Sequence, residues 1–367
     1  MVCATSRVCT TRLEVEANAV VADPGPTTAP IPVRALRRCG RRFRSMKNIL
    51  LVKMSSLGDI IHNFPVATDL RRNVPEARIH WVVEEQYVSL VELHPAVDRI
   101  LPFALRRWRK QFVRSGSWRE FAAFRRTLRE ADYEAIIDTQ GLMKSAWVAS
   151  MARGPRYGFG AGTAREPLAA RLYDTTFEFA PAVHKIQRYR AVAARALGYA
   201  LEEQFEYGIR VPADAPRVAA EPWCVIFHST ARAAKLWIES RWVEVGRALA
   251  GAGLACVLAW GSQEERARSE RMAREVPGAV VAPKLSIPEL AAVISRSRVV
   301  LGVDTGLMHL AAALAVPVVG VFTDSNPIDA CPIGNGPTAY RGMIGVPPSV
   351  PKVLDAVREV APELRLP

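Results

Sequence analysis

The sequence predicts an α/β protein made of two successive doubly wound, Rossmann-like domains, and three observations predict it. Short continuous apolar runs, among them Asn48–Val52 (NILLV) and Trp223–His228 (WCVIFH), have the length and composition of parallel strands buried on both faces. These runs alternate with helical periodicity rather than with hairpin turns. The chain has 367 residues, half of them apolar, which is more than one ordinary core holds and enough for two.

The first domain is expected over residues 46–205. Its strands are Asn48–Val52, Arg78–Val83, Arg99–Phe103 and Ala135–Asp138, with one helix over Ile60–Arg72 and a closing helix over His184–Leu197. Residues 206–222 carry three prolines and little pattern, and read as the linker. The second domain, 223–367, repeats the alternation with strands at Trp223–His228, Leu254–Ala259, Val280–Val281, Val299–Val303 and Val318–Phe322. Its helices fit Ser240–Ala250, Glu264–Glu275, Pro288–Ser295 and Met308–Leu314, and a last helix, Val350–Val360, is expected to pack back on the first domain. Two such domains are expected to face each other across a cleft at the carboxyl ends of their strands, where doubly wound sheets bind ligands.

A formal charge of +13 points to an anionic partner. Residues 1–45 hold eight Arg against Glu14, Glu16 and Asp23, a net +5, and have the composition of a disordered basic extension. Met46 directly precedes the first strand and reads as an alternative start; a basic tail touching anionic lipid is the other reading. Cys3, Cys9, Cys39, Cys224, Cys256 and Cys331 form no CxxC pair, which suits free thiols in a reducing compartment. No apolar run is long enough to span a bilayer.

Four segments carry candidate chemistry. Ser55-Ser56-Leu57-Gly58-Asp59 links a buried strand to a helix, so Asp59 is either a general base projecting into the cleft or an N-terminal cap. Asp304-Thr305-Gly306-Leu307-Met308-His309 follows the run VVLGV; its amides suit a phosphate and His309 could donate to one, unless Asp304 only caps the helix and His309 is a surface or core histidine. In the loop from His228 to Trp237, Thr230 and Lys235 could reach a diphosphate, the alternative being solvated loop charges at Lys235 and Arg232. Nine cations between 106 and 130, beginning Arg106-Arg107-Trp108-Arg109-Lys110, interleave with Trp108, Phe112, Trp118 and Phe121. That composition fits a flexible loop and helix meeting a polyanion or an anionic membrane surface. Nucleic acid is the rival anion, but no recognition motif for it is present. No GxGxxG, Walker or GxSxG pattern and no metal-ligand spacing occurs. Glu84-Glu85, Asp138-Thr139-Gln140-Gly141 and Trp260 to Glu265 each end a strand and could line the cleft.

In order along the chain, KMSSLGDIIHNFP, WVVEE, LRRWRK, IDTQGLMKSA, TAREPLA, KLW and VDTGLMHLAAAL resemble glycosyltransferase family nine, the ADP-heptose:lipopolysaccharide heptosyltransferases, from about Met46 to the C-terminus. The resemblance implies a GT-B fold, with the acceptor on the first domain and ADP-heptose on the second. It implies inverting, metal-independent transfer of L-glycero-D-manno-heptose to the inner Kdo of Kdo-lipid A, with no cofactor and no nucleic acid. The place of action would be the cytoplasm, peripheral to the inner face of the inner membrane. Asp59 falls on the family's catalytic base. Thr230, Lys235, Asp304, Thr305, Gly306 and His309 fall on donor contacts, Leu285 near the adenine, and Glu264 or Glu265 on the ribose. Ser56, Gly58, Arg106, Arg107, Arg109, Lys110 and Arg165 are the acceptor-side candidates. Ala231 stands where relatives have a hydroxyl that donates to phosphate.

Overall fold

The computed structural model describes residues 47–110, 115–214 and 216–366. The extension 1–45, with Cys3, Cys9 and Cys39, and also Met46, Phe112 and Arg114, lies outside the described residues. The chain divides into two compact units between Arg210 and Val211, a point inside the 206–222 stretch. Residues just before that point still pack on the first unit: Phe205 and Tyr207 are buried, and the Arg210 amide donates to the Leu93 carbonyl at 2.8 Å.

The first unit contains strands β1 (Asn48–Val52), β2 (Arg78–Glu84), β3 (Arg99–Phe103), β4 (Ala135–Asp138), β5 (Arg156–Phe159) and β6 (Thr175–Phe177). They form one sheet in the order β3-β2-β1-β4-β5-β6, with every pair parallel. The second unit repeats that winding with β7 (Trp223–Phe227), β8 (Ala255–Leu258), β9 (Val280–Val281), β10 (Val299–Val303), β11 (Val318–Val321) and β12 (Thr338–Arg341), in the order β12-β11-β10-β7-β8-β9. In each sheet the winding direction reverses beside the first strand, between β1 and β4 and between β7 and β10. The carboxyl ends of those strands flank the switch point at which such sheets hold ligands. Ile49 to Val52 of β1 are fully buried, as a continuous apolar run in a sheet covered on both faces should be.

Helices α1 (Leu57–Ile61) and α2 (Phe64–Asn73) replace the single helix expected over 60–72. Pro65 supplies no amide hydrogen and sits in the first turn of α2, where none is needed, so the chain restarts there. Four helices follow in the first unit, α3 (Val88–Val91), α4 (Leu105–Lys110), α5 (Ser115–Leu128) and α6 (Met143–Met151), before α7 (Lys185–Leu197) closes it. Within α7, Arg190 is fully buried and forks onto Asp69 of α2 at 2.7 and 3.2 Å. The second unit has α8 (Glu239–Gly251), α9 (Gln263–Glu275), α10 (Ile287–Ser295), α11 (Gly306–Ala313), α12 (Pro327–Ala330) and α13 (Val350–Val360). Val353, Ala356, Val357 and Val360 join the core of the second unit with Val319 and Val321 of β11, which takes up the helix's apolar face.

Gly302 of β10 lets α11 settle on the sheet. A Cβ there would lie 2.5 Å from the Met308 sulfur and 2.8 Å from the Phe227 Cβ, and would push the first turn of α11 outward. Cys224 and Cys256 are register partners on β7 and β8; with Cys331 they are buried free thiols. Among the described residues no helix is long and apolar enough to cross a membrane.

Candidate active site

Asp59 is the third residue of α1, directly beyond the carboxyl end of β1. The cap reading is met as a capping box, with Ser56 at the N-cap and Asp59 at the third helical position. Its carboxylate accepts from the Ser56 amide at 3.4 Å and the Ser56 hydroxyl at 3.2 Å. It also accepts from the Tyr189 hydroxyl at 3.3 Å and lies 3.9 Å from the guanidinium of Arg165. Burial pushes this carboxyl up, but Lys53, Lys185, the Ser56 amide and Arg165 outweigh it and hold Asp59 below the ordinary carboxylate range. Ser56 is exposed beside it, and Gly58 is buried in the first turn.

The loop after β4 braces that of β1. Asp138 is fully buried; it accepts from the amides of Gln140 and Gly141 at 2.7 and 3.3 Å and from the Tyr173 hydroxyl at 2.7 Å. Burial raises its carboxyl in spite of those bonds. The Gln140 side-chain oxygen in turn accepts from the Met54 amide at 2.7 Å. Asp138 and Gln140 are therefore scaffold for the loop that carries Asp59. Tyr189 and Lys53 were missed by the sequence reading. Lys53 stands beside the SSLGD motif and could have been noticed; Tyr189 is 130 positions away from Asp59 and gives no local signal.

The basic stretch, expected as a flexible loop and helix, is helical on either side of residues 111–114, which lie outside the described residues. Residues 105–110 form α4, and Trp108 is buried against Phe103, Phe121 and Phe124, at centroid distances of 5.2, 5.8 and 6.3 Å. Its role is packing, not contact with an anion. Trp108→Ala is expected to destabilise the first unit by about 3 to 5 kcal/mol, measured by denaturant unfolding; an unchanged midpoint would return Trp108 to the ligand-facing set. Arg107 is held between Glu85 (3.0 Å) and Glu120 (2.7 Å), and Arg106 lies 3.3 Å from the buried Glu84. Glu84 and Glu85 thus neutralise part of the stretch. Arg109 and Lys110 are exposed, and Trp118 is 55% exposed.

In the second unit the loops after β7 and β10 come together at the switch point. The Lys235 ammonium donates to the Asp304 carboxylate at 2.5 Å, with the two side chains 18% and 12% exposed. The Thr230 hydroxyl donates to the Asp304 carbonyl at 3.2 Å. Lys235 is therefore not a solvated loop charge, whereas Arg232 is well exposed and pairs with Asp324 at 2.8 Å. Thr305, with extended backbone, occupies the N-cap position of α11 without a side-chain cap bond, and Asp304 lies one residue before it, so the alternative in which Asp304 only caps the helix does not hold. Gly306 opens α11, partly exposed, and leaves amides at the helix N-terminus for an anion. His309, one turn further on, is buried.

The structure separates Glu264 from Glu265. Glu265 closes a capping box at the start of α9: its carboxylate accepts from the amides of Gly261 (2.5 Å) and Ser262 (3.3 Å), and its own amide donates to the Ser262 hydroxyl. Glu264 is exposed at the same helix start. Lys284 donates to the Gly261 carbonyl and lies 4.8 Å over the Trp260 ring, which ties the loop bearing half-buried Leu285 to the one bearing Glu264. Glu265→Ala is expected to lower stability by ~1 kcal/mol with little change in donor KM. On the ribose role that the family resemblance implies for one of the two, Glu264→Ala is expected to raise donor KM by roughly tenfold, as for one or two lost hydrogen bonds, and leave the melting temperature in place. The reverse pattern would exchange their roles.

The sequence profile of Glycosyltransferase family 9 (heptosyltransferase) matches residues 121–351. The chain is 42% identical to lipopolysaccharide heptosyltransferase 1 of Pseudomonas aeruginosa over 284 residues, 76% of this chain and 79% of that protein. It is 38% identical to lipopolysaccharide heptosyltransferase 1 of Escherichia coli K12 over 287 residues, 76% of this chain and 88% of that protein. Among solved structures it matches E. coli heptosyltransferase WaaC with ADP at a TM-score of 0.80 and 35% identity, covering 86% of this chain and 100% of that one. E. coli ADP-heptose lps heptosyltransferase II, at 19% identity and a TM-score of 0.68 over 87% of this chain and 99% of that one, shares the fold. Two parallel six-stranded sheets of one winding order, with these likenesses, make the fold GT-B. The chain belongs to glycosyltransferase family 9, the heptosyltransferases.

Proposed function

We propose that the chain transfers L-glycero-D-manno-heptose from ADP-heptose to the inner Kdo of Kdo-lipid A, with inversion and without a metal ion, as the first heptose addition of lipopolysaccharide inner-core synthesis. The observation that carries the chemistry is a half-buried Asp59 beyond the end of β1 with Ser56, Tyr189 and Arg165 around its two oxygens, surroundings that favour its carboxylate form. The donor follows from relatives named lipopolysaccharide heptosyltransferase 1 and from likeness to E. coli heptosyltransferase WaaC with ADP-2-deoxy-2-fluoro heptose.

In this reading Asp59 accepts the proton of the Kdo hydroxyl as that oxygen attacks the anomeric carbon. The bond from that carbon to the phosphate oxygen breaks on the opposite face, which inverts the configuration, and ADP departs. Negative charge grows on the diphosphate as it leaves. Lys235, the Thr230 hydroxyl and the amides of Thr305 and Gly306 can meet that charge, which is the electrostatic help a leaving nucleotide needs in place of a metal. Glu264 holds the ribose and Leu285 borders the adenine. Ser56, Gly58, Arg165 and the 106–110 cations serve the acceptor, with Arg109 and Lys110 free to meet its phosphates and carboxylates and Arg107 shared with Glu85 and Glu120. Such an acceptor places the enzyme at the cytoplasmic face of the inner membrane, as a peripheral protein.

Incubation with ADP-heptose and Kdo-lipid A in EDTA, read by mass spectrometry, is expected to give an acceptor heavier by one heptose with equimolar ADP. Product formed only on an already heptosylated acceptor, or only when a divalent cation is restored, would overturn the acceptor or the metal-independence respectively.

A further inference from the structure

The residue directly after β1 is a lysine in a place lysine seldom occupies. Lys53 is 2% exposed, and taking an ammonium out of water is costly unless the surroundings compensate it. Its ammonium donates to the Thr139 carbonyl at 2.9 Å and lies 3.6 Å from the centre of the Tyr189 ring. The far end of that ring carries the hydroxyl that donates to Asp59. Cation, ring, phenol and carboxylate form one continuous stack from the floor of the loop to the group read as the base. Other charges also face Lys53: Asp59 and Asp138 attract it, while Lys185 and Arg165 repel it. Burial outweighs the attraction and lowers the ammonium to about 8, so it is still mainly charged at neutral pH.

A lysine needed only for packing would be better replaced by an apolar residue of the same length, because a buried charge costs more than it returns. What the charge does accomplish is electrostatic. Among the neighbours that oppose the burial of Asp59, Lys53 comes first. We propose that Lys53 is a positioning residue for the transfer: its buried charge keeps Asp59 ionised, and its contact with the Tyr189 ring holds the phenol hydroxyl on the Asp59 carboxylate. The proposal rests on the reading of Asp59 as the base.

Removing the charge raises the affinity of Asp59 for a proton, so the acid limb of the pH profile moves toward neutrality. Lys53→Met removes charge and donor together; Lys53→Gln removes the charge but can still donate to Thr139, and so keeps the test open if the Met variant does not fold. In both, the acid limb of kcat/KM is expected to move up by roughly one pH unit or more, with the loss of rate concentrated at low pH. Tyr189→Phe, which keeps the ring and loses the hydroxyl, is expected to move the limb the same way by less. Titration of the 13C-labelled Asp59 carboxyl by NMR should show the same displacement independently of turnover. A limb and a carboxyl titration that stay at their wild-type positions in Lys53→Gln, with any loss of rate uniform across pH, would overturn the role given to Lys53. Full activity in Asp59→Ala would instead remove the base itself, whatever the Lys53 variants do.

Discussion

Asp59→Ala is expected to lower kcat by roughly a thousandfold or more, the range for losing a positioned proton acceptor, while leaving affinity for ADP-heptose nearly intact. The separation follows from where the residue sits. Asp59 is at the end of β1 in the first unit, and each donor contact inferred above is carried by the loops after β7, β8, β9 and β10 in the second. Removing the carboxylate therefore withdraws help only from the transition state, which shows in kcat and not in donor binding. Some stability should be lost as well, because the Ser56 amide and hydroxyl and the Tyr189 hydroxyl lose an acceptor and the buried Lys53 ammonium loses an attracting charge, so the rate is compared at a temperature where both proteins are folded. Asn at the same position keeps the shape and the cap but cannot take a proton, and should be as slow as Ala. A wild-type rate in either variant, measured as ADP release with Kdo-lipid A, would end the assignment. The pH dependence has a defined sign. The base works unprotonated, and its lowered pKa places the acid limb below the ordinary carboxylate range, so activity should persist on the acid side and fail only as pH drops through that lowered value.

How far the sequence could be read depended on whether a residue's partners were local. The central strands β1, β4, β7 and β10 are continuous apolar runs because both faces are covered, and they were legible within a residue. The strands β5 (RYGF), β6 (TTF) and β12 (TAYR) were not, since each is only three or four residues long and mixes polar with apolar residues, β6 and β12 at the half-solvated edges of their sheets. Asp59, Thr305 and Gly306 stand at strand-to-helix junctions, which the pattern marks by itself. Tyr189 depends on an approach between α7 and α1 that no spacing encodes, and it was invisible. The ion pairs of the basic run were hidden for a related reason. Composition counted nine cations against Glu120 and Glu130, but Glu84 and Glu85 arrive from the end of β2 to pair with Arg106 and Arg107. Trp108 looked like an interfacial aromatic because its three ring partners lie on other elements.

Lys235→Ala is expected to reduce kcat/KM for ADP-heptose by about a hundredfold, close to 3 kcal/mol, with both kcat and KM affected. The size comes from the partner that the mutation leaves behind. Lys235 and Asp304 form a largely shielded ion pair, and the diphosphate has to share that one ammonium with the Asp304 carboxylate. Deleting the cation removes an attraction and also exposes the incoming diphosphate to an uncompensated carboxylate, so the loss should exceed that of one phosphate contact. Because charge on the diphosphate grows as the bond to the sugar breaks, part of the loss must appear in kcat, which simple weakening of ground-state binding would spare. The double variant Lys235→Ala with Asp304→Asn separates the two contributions. It should recover part of the donor affinity, since the repulsion is gone, and little of kcat, since the leaving group still lacks its cation. Arginine at 235 should rescue only partly, because its planar fork favours two-point pairing with Asp304 over a point charge shared with a diphosphate. Unchanged kcat and KM in Lys235→Ala would mean that the ammonium serves only to hold Asp304, and the cation for the departing nucleotide would then have to be sought in Arg232 of the same loop, which is exposed and paired with Asp324 beyond β11.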